Sequence, residues 1–146
     1  MAATLKEALE VVKQNGLKMS VQRKMILEYL YSHKNTHPSA EEIFSEISKK
    51  LNILSPATVY NNLKHLKQYG LVKEVYYQGG ATRYDNNLEK HHHLICTHCG
   101  KIIDFYYSEP MKLQEVIQNE MFSADEAYIE IRGKCQQCAS RDGAEN

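Results

Sequence analysis

The chain has 146 residues, enough for one ordinary domain or two small ones, which excludes a large multidomain enzyme. Its 18 basic and 18 acidic side chains cancel, and a net charge of zero on its own argues against a nucleic-acid partner. The charges are unevenly distributed, however: residues 1–84 hold 12 Lys/Arg and 7 Asp/Glu, and residues 85–146 hold 6 and 11. The sequence therefore predicts two halves of opposite charge, +5 and −5, with different roles.

Four amphipathic helical patterns are predicted in the first half of the chain. A hydroxyl residue precedes each of the last three helices as an N-cap. The cap of the third helix is followed three positions later by a glutamate, and the fourth helix has a proline at its first position. These signals are Ser20, Ser39 with Glu42, and Ser55-Pro56. Glycines stop the first and fourth helices, at Gly16 and Gly70.

A β-hairpin is predicted directly after the fourth helix. Leu71–Tyr77 is rich in β-branched and aromatic residues, Gly79-Gly80 supplies a turn, and Ala81–Tyr84 can return as the second strand. Helices followed by a hairpin are typical of a winged helix-turn-helix, in which the third and fourth helices form the helix-turn-helix and the hairpin forms the wing.

The second half predicts a small domain of short strands with one helix. The strands are expected over His93–Cys96, Lys101–Tyr106 and Tyr128–Arg132, and the helix over Lys112–Met121. In the last strand, Ile129 and Ile131 alternate with charged residues, which predicts one buried face. The predicted fold is α+β: a winged helix-turn-helix domain over residues 1–84, a polar hinge over 85–90, and a small α/β domain over 91–146.

All four cysteines lie in the second half, as two Cys-x₂-Cys pairs: Cys96, Cys99, Cys135 and Cys138. No apolar run reaches the ~20 residues of a membrane span, and the first residues lack the apolar stretch of a signal peptide, so we expect a cytoplasmic protein. In a reducing compartment, paired Cys-x₂-Cys motifs bind metal more often than they form disulfides. The pattern favours a tetrahedral Cys₄ zinc site over unliganded buried cysteines or a redox pair.

Histidines and two aspartates predict a second metal site. His91 and His93 point to one side of a strand and His92 to the other, while Asp104 follows two isoleucines inside a strand and needs a partner or a cation there. Nitrogen and oxygen ligands of this kind suit Fe²⁺ or Mn²⁺ better than thiolates do. The alternative is a solvated strand end, with His37 only a loop residue before a proline, and spacing alone does not bring His37 near the others.

Longer motifs, spread over nearly the whole chain, match those of a known protein family. They are Gly16-Leu17-Lys18, Gln22-Arg23, His37-Pro38, Ala57–Leu63, Gly70–Val72, Arg83–Asp85, His91–Asp104 and the closing Cys-x₂-Cys pair. In order and spacing, the chain resembles the ferric uptake regulator (Fur) family, and within it the peroxide-responsive branch. The resemblance implies a homodimeric, metal-dependent repressor with an N-terminal winged-helix DNA-binding domain and a C-terminal dimerisation domain.

The same resemblance assigns ligands by position. The structural zinc would be bound by Cys96, Cys99, Cys135 and Cys138, and the regulatory Fe²⁺ or Mn²⁺ by His37, Asp85, His91, His93 and Asp104. An aspartate at position 104 resembles the peroxide-responsive branch, since iron and zinc regulators more often have glutamate there. In that branch, bound Fe²⁺ reacts with hydrogen peroxide and a ligand histidine is oxidised, here His37 or His91, so that metal and DNA are released.

The fourth helix is the expected DNA-recognition helix, with its first turns in the major groove. Tyr60 can contact a thymine methyl, Asn61 or Asn62 can hydrogen-bond an adenine edge, and Lys64 can meet a phosphate. Lys18 matches a family residue that reaches into a minor groove, and the family binds AT-rich inverted repeats. The alternative is that these polar residues are ordinary solvated surface. Relatives in the peroxide-responsive branch often have arginine where this chain has Lys64, so operator preference is expected to differ.

Three other functions compete with this prediction. The first is an iron- or manganese-responsive uptake repressor of the same family without peroxide sensing. The second is a mononuclear iron oxygenase or metal hydrolase, which we disfavour because five protein ligands leave little room for a substrate. The third is a zinc-stabilised protein-interaction domain that binds no DNA. The prediction is therefore a regulator that is not an enzyme.

Overall fold

The computed structural model describes residues 2–76, 80–108, 115 and 117–143. The chain forms two compact units, Met1–Glu89 and Lys90–Asn146, and each is described here by itself. Asp85 and the buried Asn86, at the start of the predicted hinge, belong to the first unit. Within the described residues, no helix is both long enough and apolar enough to cross a membrane.

The first unit contains four helices: α1 (Leu5–Gln14), α2 (Val21–Ser32), α3 (Ala40–Ser48) and α4 (Pro56–Gln68). The predicted caps are confirmed, since Ser20, Ser39 and Ser55 each accept a hydrogen bond from the backbone N–H three residues later. Sequence reasoning missed the cap of α1, where Thr4 and Glu7 form a second capping box. These caps satisfy N–H groups that would otherwise lack a partner within the first turn of each helix.

The four helices enclose one hydrophobic core. Its fully buried members include Ile26, Leu27, Ile43, Leu63 and Leu66. Burying a side chain of this size contributes roughly 1.5–3 kcal/mol, so this core is the main source of stability in the first unit.

The predicted wing is present with shorter strands. Strands β1 (Lys73–Val75) and β2 (Arg83–Asp85) pair antiparallel with Lys73 opposite Asp85. Leu71 and Val72 are buried in the helical core instead of extending the hairpin, because they complete the apolar surface at the end of α4. The predicted turn at Gly79-Gly80 falls partly on residues 77–79, outside the described part of the chain.

The second unit is a three-stranded sheet with a C-terminal helix. Strand β3 (His92–Cys96) lies in the centre, antiparallel to β4 (Ile102–Phe105) and parallel to β5 (Glu130–Gly133). Helix α5 (Gln136–Gly143) follows and was not predicted. Within the predicted helix over Lys112–Met121, residues 112–114 and 116 lie outside the described residues, while 115 and 117–119 are helical.

The expectation that the last strand has a buried face is wrong for the single chain. All four residues of β5 are exposed, and Ile131 is 52% exposed. The sheet register aligns Ile131 and Ile103 with Leu94 on the strand between them, which forms an apolar row across the sheet. The alternation of apolar and charged residues is real, but in the described part of the chain nothing covers the apolar side.

Candidate metal centres and nucleic-acid interface

The four cysteines converge at one end of the second unit's sheet. Cys96 ends β3, Cys99 follows in the turn before β4, Cys135 immediately precedes α5, and Cys138 lies in its first turn. All four are free thiols, and their sulfur atoms lie within 4.8 Å of one another. The Sγ atoms of Cys99 and Cys135 are 3.8 Å apart. Four Zn–S bonds of about 2.3 Å in a tetrahedron place sulfur atoms about 3.8 Å apart, so this donor set fits zinc.

Backbone dipoles prepare one of these thiols for metal binding. The N–H of Cys135 donates to Cys96 Sγ at 3.3 Å, and this hydrogen bond together with that from Cys99 lowers the pKa of Cys96 to about 5. Burial has the opposite effect on Cys138, whose pKa it raises to about 12. Because the metal binds thiolates, Cys96 is ready as a ligand at neutral pH, whereas Cys138 must lose its proton when the metal binds.

A second group of ligand-type side chains lies where β3 and β4 pair. His93 is directly opposite Asp104 in the ladder, and His91 immediately precedes β3 on the same side. The Nε2 atoms of His91 and His93 are 3.0 Å apart, and they lie 3.5 and 3.7 Å from Asp104 Oδ1. Metal bonds of about 2.1 Å at right angles separate neighbouring donors by about 3 Å, so these nitrogens suit adjacent positions around one ion.

His92 has a different role, as its position in the strand predicts. Its Nδ1 accepts the backbone N–H of Ile129 at 3.1 Å, and its Nε2 lies 3.4 Å from the carbonyl oxygen of Tyr107. The ring is 1% exposed and packs against Phe105 with centroids 5.3 Å apart. Both ring nitrogens therefore support the structure, and His92 is not available as a ligand.

The first unit contributes its own buried histidine and aspartate. His37 Nε2 lies 3.9 Å from Asp85 Oδ2, and both side chains are 1% exposed. Asp85 Oδ1 accepts the backbone N–H of Asn87 at 2.7 Å, which fixes the carboxylate. An imidazole and a carboxylate that share a dry site suit a divalent cation.

Backbone pairing explains how two residues 48 positions apart in sequence meet. Ser39 forms a β-bridge with Arg83, and the N–H of Tyr84 donates to the Pro38 carbonyl at 2.9 Å, so the segment after His37 runs antiparallel to β2. His37 adopts a left-handed conformation with φ of 49°. Such a conformation is uncommon outside glycine and costs on the order of 1 kcal/mol, and strain of this kind is found most often at functional sites.

An ion pair that the sequence did not reveal reinforces this pairing. Arg83 Nη1 donates to Glu42 Oε2 at 2.8 Å, and the same carboxylate oxygen accepts the N–H of Ser39 at 2.6 Å. Glu42 thus serves both as the capping-box residue of α3 and as the partner of β2. The His37 segment is held between the helix-turn-helix and the wing.

Helix α4 presents several polar side chains on its exposed surface. Asn61 and Lys64 are exposed, and Tyr60 is 46% exposed. The Tyr60 hydroxyl donates to the Glu41 carboxylate, a hydrogen bond that raises the pKa of Tyr60 and lowers that of Glu41. Lys18, also exposed, lies in the loop before α2.

The structure corrects the expectation for Asn62. Its side chain is 6% exposed, its Oδ1 accepts from Arg23 Nε at 2.9 Å, and its amide donates to the Thr58 carbonyl at 2.8 Å. A base-reading side chain must be accessible, and Asn62 is not. The sequence did contain the signal, because position 62 falls three residues after Val59 and one before Leu63, on the buried stripe of α4.

Comparison with known proteins gives consistent results. A sequence model of the ferric uptake regulator family matches residues 14–132. The peroxide operon regulator of Bacillus subtilis is 39% identical over 142 residues, covering 97% of both chains. The peroxide-responsive repressor PerR of Staphylococcus aureus is 38% identical, covering 94% of this chain and 93% of its own length. Among solved structures, the Helicobacter pylori ferric uptake regulator Fur, described as having three functional metal binding sites, superposes with a TM-score of 0.80 at 32% identity, covering 93% of this chain and 94% of that one.

Proposed function

The chain belongs to the ferric uptake regulator family, and from this premise we propose that it is a cytoplasmic, homodimeric repressor that binds DNA when its regulatory metal is bound. Its membership makes it a metal-responsive transcriptional regulator and not an enzyme. The observation that carries the proposal is the pair of buried histidine–aspartate groups, one in each compact unit. Clusters of this type are costly to bury unless a cation is bound or a specific network satisfies them.

The Cys₄ group is the proposed structural zinc site. It joins the turn between β3 and β4 to the start of α5, two parts of the second unit that are 36 residues apart at Cys99 and Cys135. Zinc bound there would close the unit around its sheet and contribute directly to its folding.

The regulatory ion is proposed to be Fe²⁺ or Mn²⁺, held by His37 and Asp85 from the first unit and by His91, His93 and Asp104 from the second. An ion bound by both groups would fix the orientation of the two units. It would therefore bind the DNA-competent conformation more tightly and increase the population of that conformation. Since Ser39 is the N-cap of α3, the backbone of His37 would connect this ion to the helix-turn-helix within two residues.

The proposed DNA contacts are Lys18, Tyr60, Asn61 and Lys64, with Asn62 removed from the set. The N-terminal half of α4 would enter the major groove, and the symmetric dimer would bind an AT-rich inverted repeat. The Glu41 carboxylate holds the Tyr60 hydroxyl at the helix surface, so the ring reaches DNA in a fixed orientation.

A gel-shift experiment tests the repressor proposal. We expect tight binding to an AT-rich inverted repeat in Mn²⁺ and little binding in EDTA, with a scrambled duplex of the same composition as the control. Equal retention of both duplexes, or binding unaffected by EDTA, would contradict a metal-dependent, sequence-specific regulator. Titration with NaCl separates electrostatic attraction to the phosphates from base recognition, because binding to the scrambled duplex comes from phosphate attraction alone.

The exposed apolar row of the second unit is the proposed dimer interface. Ile131 and Ile103 flank Leu94 across the sheet, and both isoleucines are exposed. We expect Ile131→Glu to give a monomer, because a charge in a paired apolar surface must be desolvated without a partner. Analytical ultracentrifugation measures this directly. The matched control is Ile53→Glu, an isoleucine that is 73% exposed in the first unit, which should remain dimeric; a dimeric Ile131→Glu variant would exclude this surface.

Hydrogen peroxide is the proposed signal, with an iron- or manganese-responsive uptake repressor without peroxide sensing as the alternative. Two observations support peroxide: the aspartate at position 104 and the similarity to peroxide regulators at 38–39% identity. The imidazoles of His37 and His91 would hold Fe²⁺, which when bound would supply electrons for the reduction of hydrogen peroxide beside them. Oxidation of His37 or His91 would remove a ligand and thereby release both metal and DNA.

Mass spectrometry after peroxide exposure distinguishes the two signals. In the Fe²⁺ protein, we expect an added oxygen atom on the tryptic peptide containing His37 or on the one beginning at His91. The Mn²⁺ protein under the same conditions should remain unmodified. Asp104→Glu is the matched variant, because it retains a carboxylate ligand but removes the feature that distinguishes the branch, and we expect less oxidation. Absence of oxygen on both peptides of the Fe²⁺ protein would favour the uptake repressor.

A further inference from the structure

Arg23 connects two parts of the first unit that the proposed function assigns to DNA. Its Nε–H donates to Asn62 Oδ1 on α4 at 2.9 Å, and its Nη1 donates to the backbone carbonyl of Lys18 in the loop before α2. Its own backbone N–H is capped by the Ser20 hydroxyl at 3.2 Å. One side chain therefore joins the Lys18 loop to the recognition helix.

The geometry of this connection is fixed at both ends. The Asn62 amide donates to the Thr58 carbonyl at 2.8 Å, so its oxygen is directed toward Arg23, and the whole amide is 6% exposed. The guanidinium is planar, and its donors point in set directions, so it spans two acceptors at a defined separation. A lysine would keep the charge but could not reproduce this fork.

We propose that Arg23, acting through Asn62, is a positioning residue that holds Lys18 at a fixed distance from α4, so that the two DNA contacts act as one unit. This inference rests on the proposed DNA-binding function. Minor-groove and major-groove contacts reinforce each other only if their separation matches the duplex, since a mobile loop must be ordered when it binds. Arg23 and Asn62 thus contribute to operator recognition without either residue needing to contact a base.

Energetic coupling between Arg23 and Lys18 in DNA binding distinguishes a positioning role from a purely structural or phosphate-binding one. If Arg23 only stabilised the fold, or only met a phosphate, its loss and the loss of Lys18 would have independent effects on binding. If Arg23 positions Lys18, then removing Arg23 should greatly reduce the contribution of Lys18 to DNA affinity. The readout is the effect of Lys18→Ala in different backgrounds.

The experiment measures affinity for a duplex selected by the unaltered full-length protein from a randomised pool in Mn²⁺. In the otherwise unaltered protein, we expect Lys18→Ala to weaken binding roughly tenfold. In the Arg23→Lys background, the same substitution should weaken it only about twofold. Asn62→Leu, which changes no charge and removes the acceptor on α4, should reduce the Lys18 effect in the same way.

Lys24→Ala is the matched control, because it removes a positive charge from α2 while leaving the hydrogen bonds of Arg23 intact. In that background, Lys18→Ala should retain its full effect. Thermal melts of all variants confirm that each is folded at the assay temperature. Equal effects of Lys18→Ala in all backgrounds would overturn the positioning role while leaving the proposed function standing. A protein that selects no duplex from the pool would overturn the proposed function, and this inference with it.

Discussion

Replacing Cys96 with serine is expected to unfold the second unit and to leave the four-helix core of the first unit intact. Cys96 is 4% exposed at the end of the central strand, and its sulfur lies within 4.8 Å of the other three. Serine has nearly the same size, so the change removes a zinc ligand without leaving a cavity. The expected result therefore depends on the metal and not on packing.

The second unit has little else to stabilise it. Among its described residues, the buried apolar side chains are two isoleucines and two of the cysteines: Ile95, Ile102, Cys96 and Cys138. A unit of 57 residues with so small a core is below the size at which hydrophobic burial alone is usually sufficient. Structural zinc sites supply binding free energy on the order of 10 kcal/mol, which becomes folding free energy when the site does not exist in the unfolded chain.

Calorimetry and two-dimensional NMR, together with zinc content, measure this outcome. We expect Cys96→Ser to lose zinc and the dispersed resonances of β3, β4, β5 and α5, while signals from α1 to α4 persist. His98→Ala is the matched control, because it changes an exposed side chain between Cys96 and Cys99 without removing a thiolate. A zinc-free Cys96→Ser variant with a folded second unit would contradict a structural role for the metal.

Local signals in the sequence were sufficient to predict most of the first unit. Each predicted cap has its side chain where expected, because capping depends only on residues three apart. The two Cys-x₂-Cys pairs predicted a compact sulfur cluster for the same reason, since each turn brings its own two ligands together. The alternation of His91, His92 and His93 likewise separated the two candidate ligands from the structural histidine.

Other features required information that local periodicity does not contain. The proximity of His37 to Asp85, which only the family resemblance implied, depends on the bridge between Ser39 and Arg83, a long-range pairing that short spacing cannot reveal. The exposure of Ile131 depends on which elements of the folded unit pack against its side of the sheet, and strand alternation does not encode that. Asn62 is different, because its position on the apolar stripe of α4 is a local signal and determines its burial despite its polar side chain.

Replacing either His37 or His91 with alanine is expected to abolish metal-dependent DNA binding. His37 lies in the first unit and His91 in the second, and the proposed ion would be bound by both. Each substitution would remove one imidazole from the proposed five-ligand set and leave a buried carboxylate nearby. We expect the affinity in Mn²⁺ to fall about 100-fold, to the level measured in EDTA, which corresponds to the upper range of coupling energies between two ligands.

Gel shifts in Mn²⁺ and in EDTA measure the loss of DNA affinity, and calorimetric titration with Mn²⁺ measures the metal affinity. The matched controls are His33→Ala in the first unit and His98→Ala in the second, both exposed histidines outside the two groups. Both should bind metal and DNA as the unaltered protein does. A His37→Ala variant that keeps its response to Mn²⁺ would mean that the second unit alone forms the regulatory site.

The double variant His37→Ala/His91→Ala decides whether one ion or two are involved. If a single ion needs both groups, the first substitution already removes the metal response, so the second has nothing further to remove and the two losses do not add. If each unit bound its own ion, the losses would add, and each single variant would keep part of the response. Binding in EDTA should be the same for all four proteins, because no variant alters α4 or the Lys18 loop. An ion bound by both units would couple metal to DNA, because it would bind the conformation that brings both ligand groups together more tightly than the others, and only such a difference in affinity shifts the population.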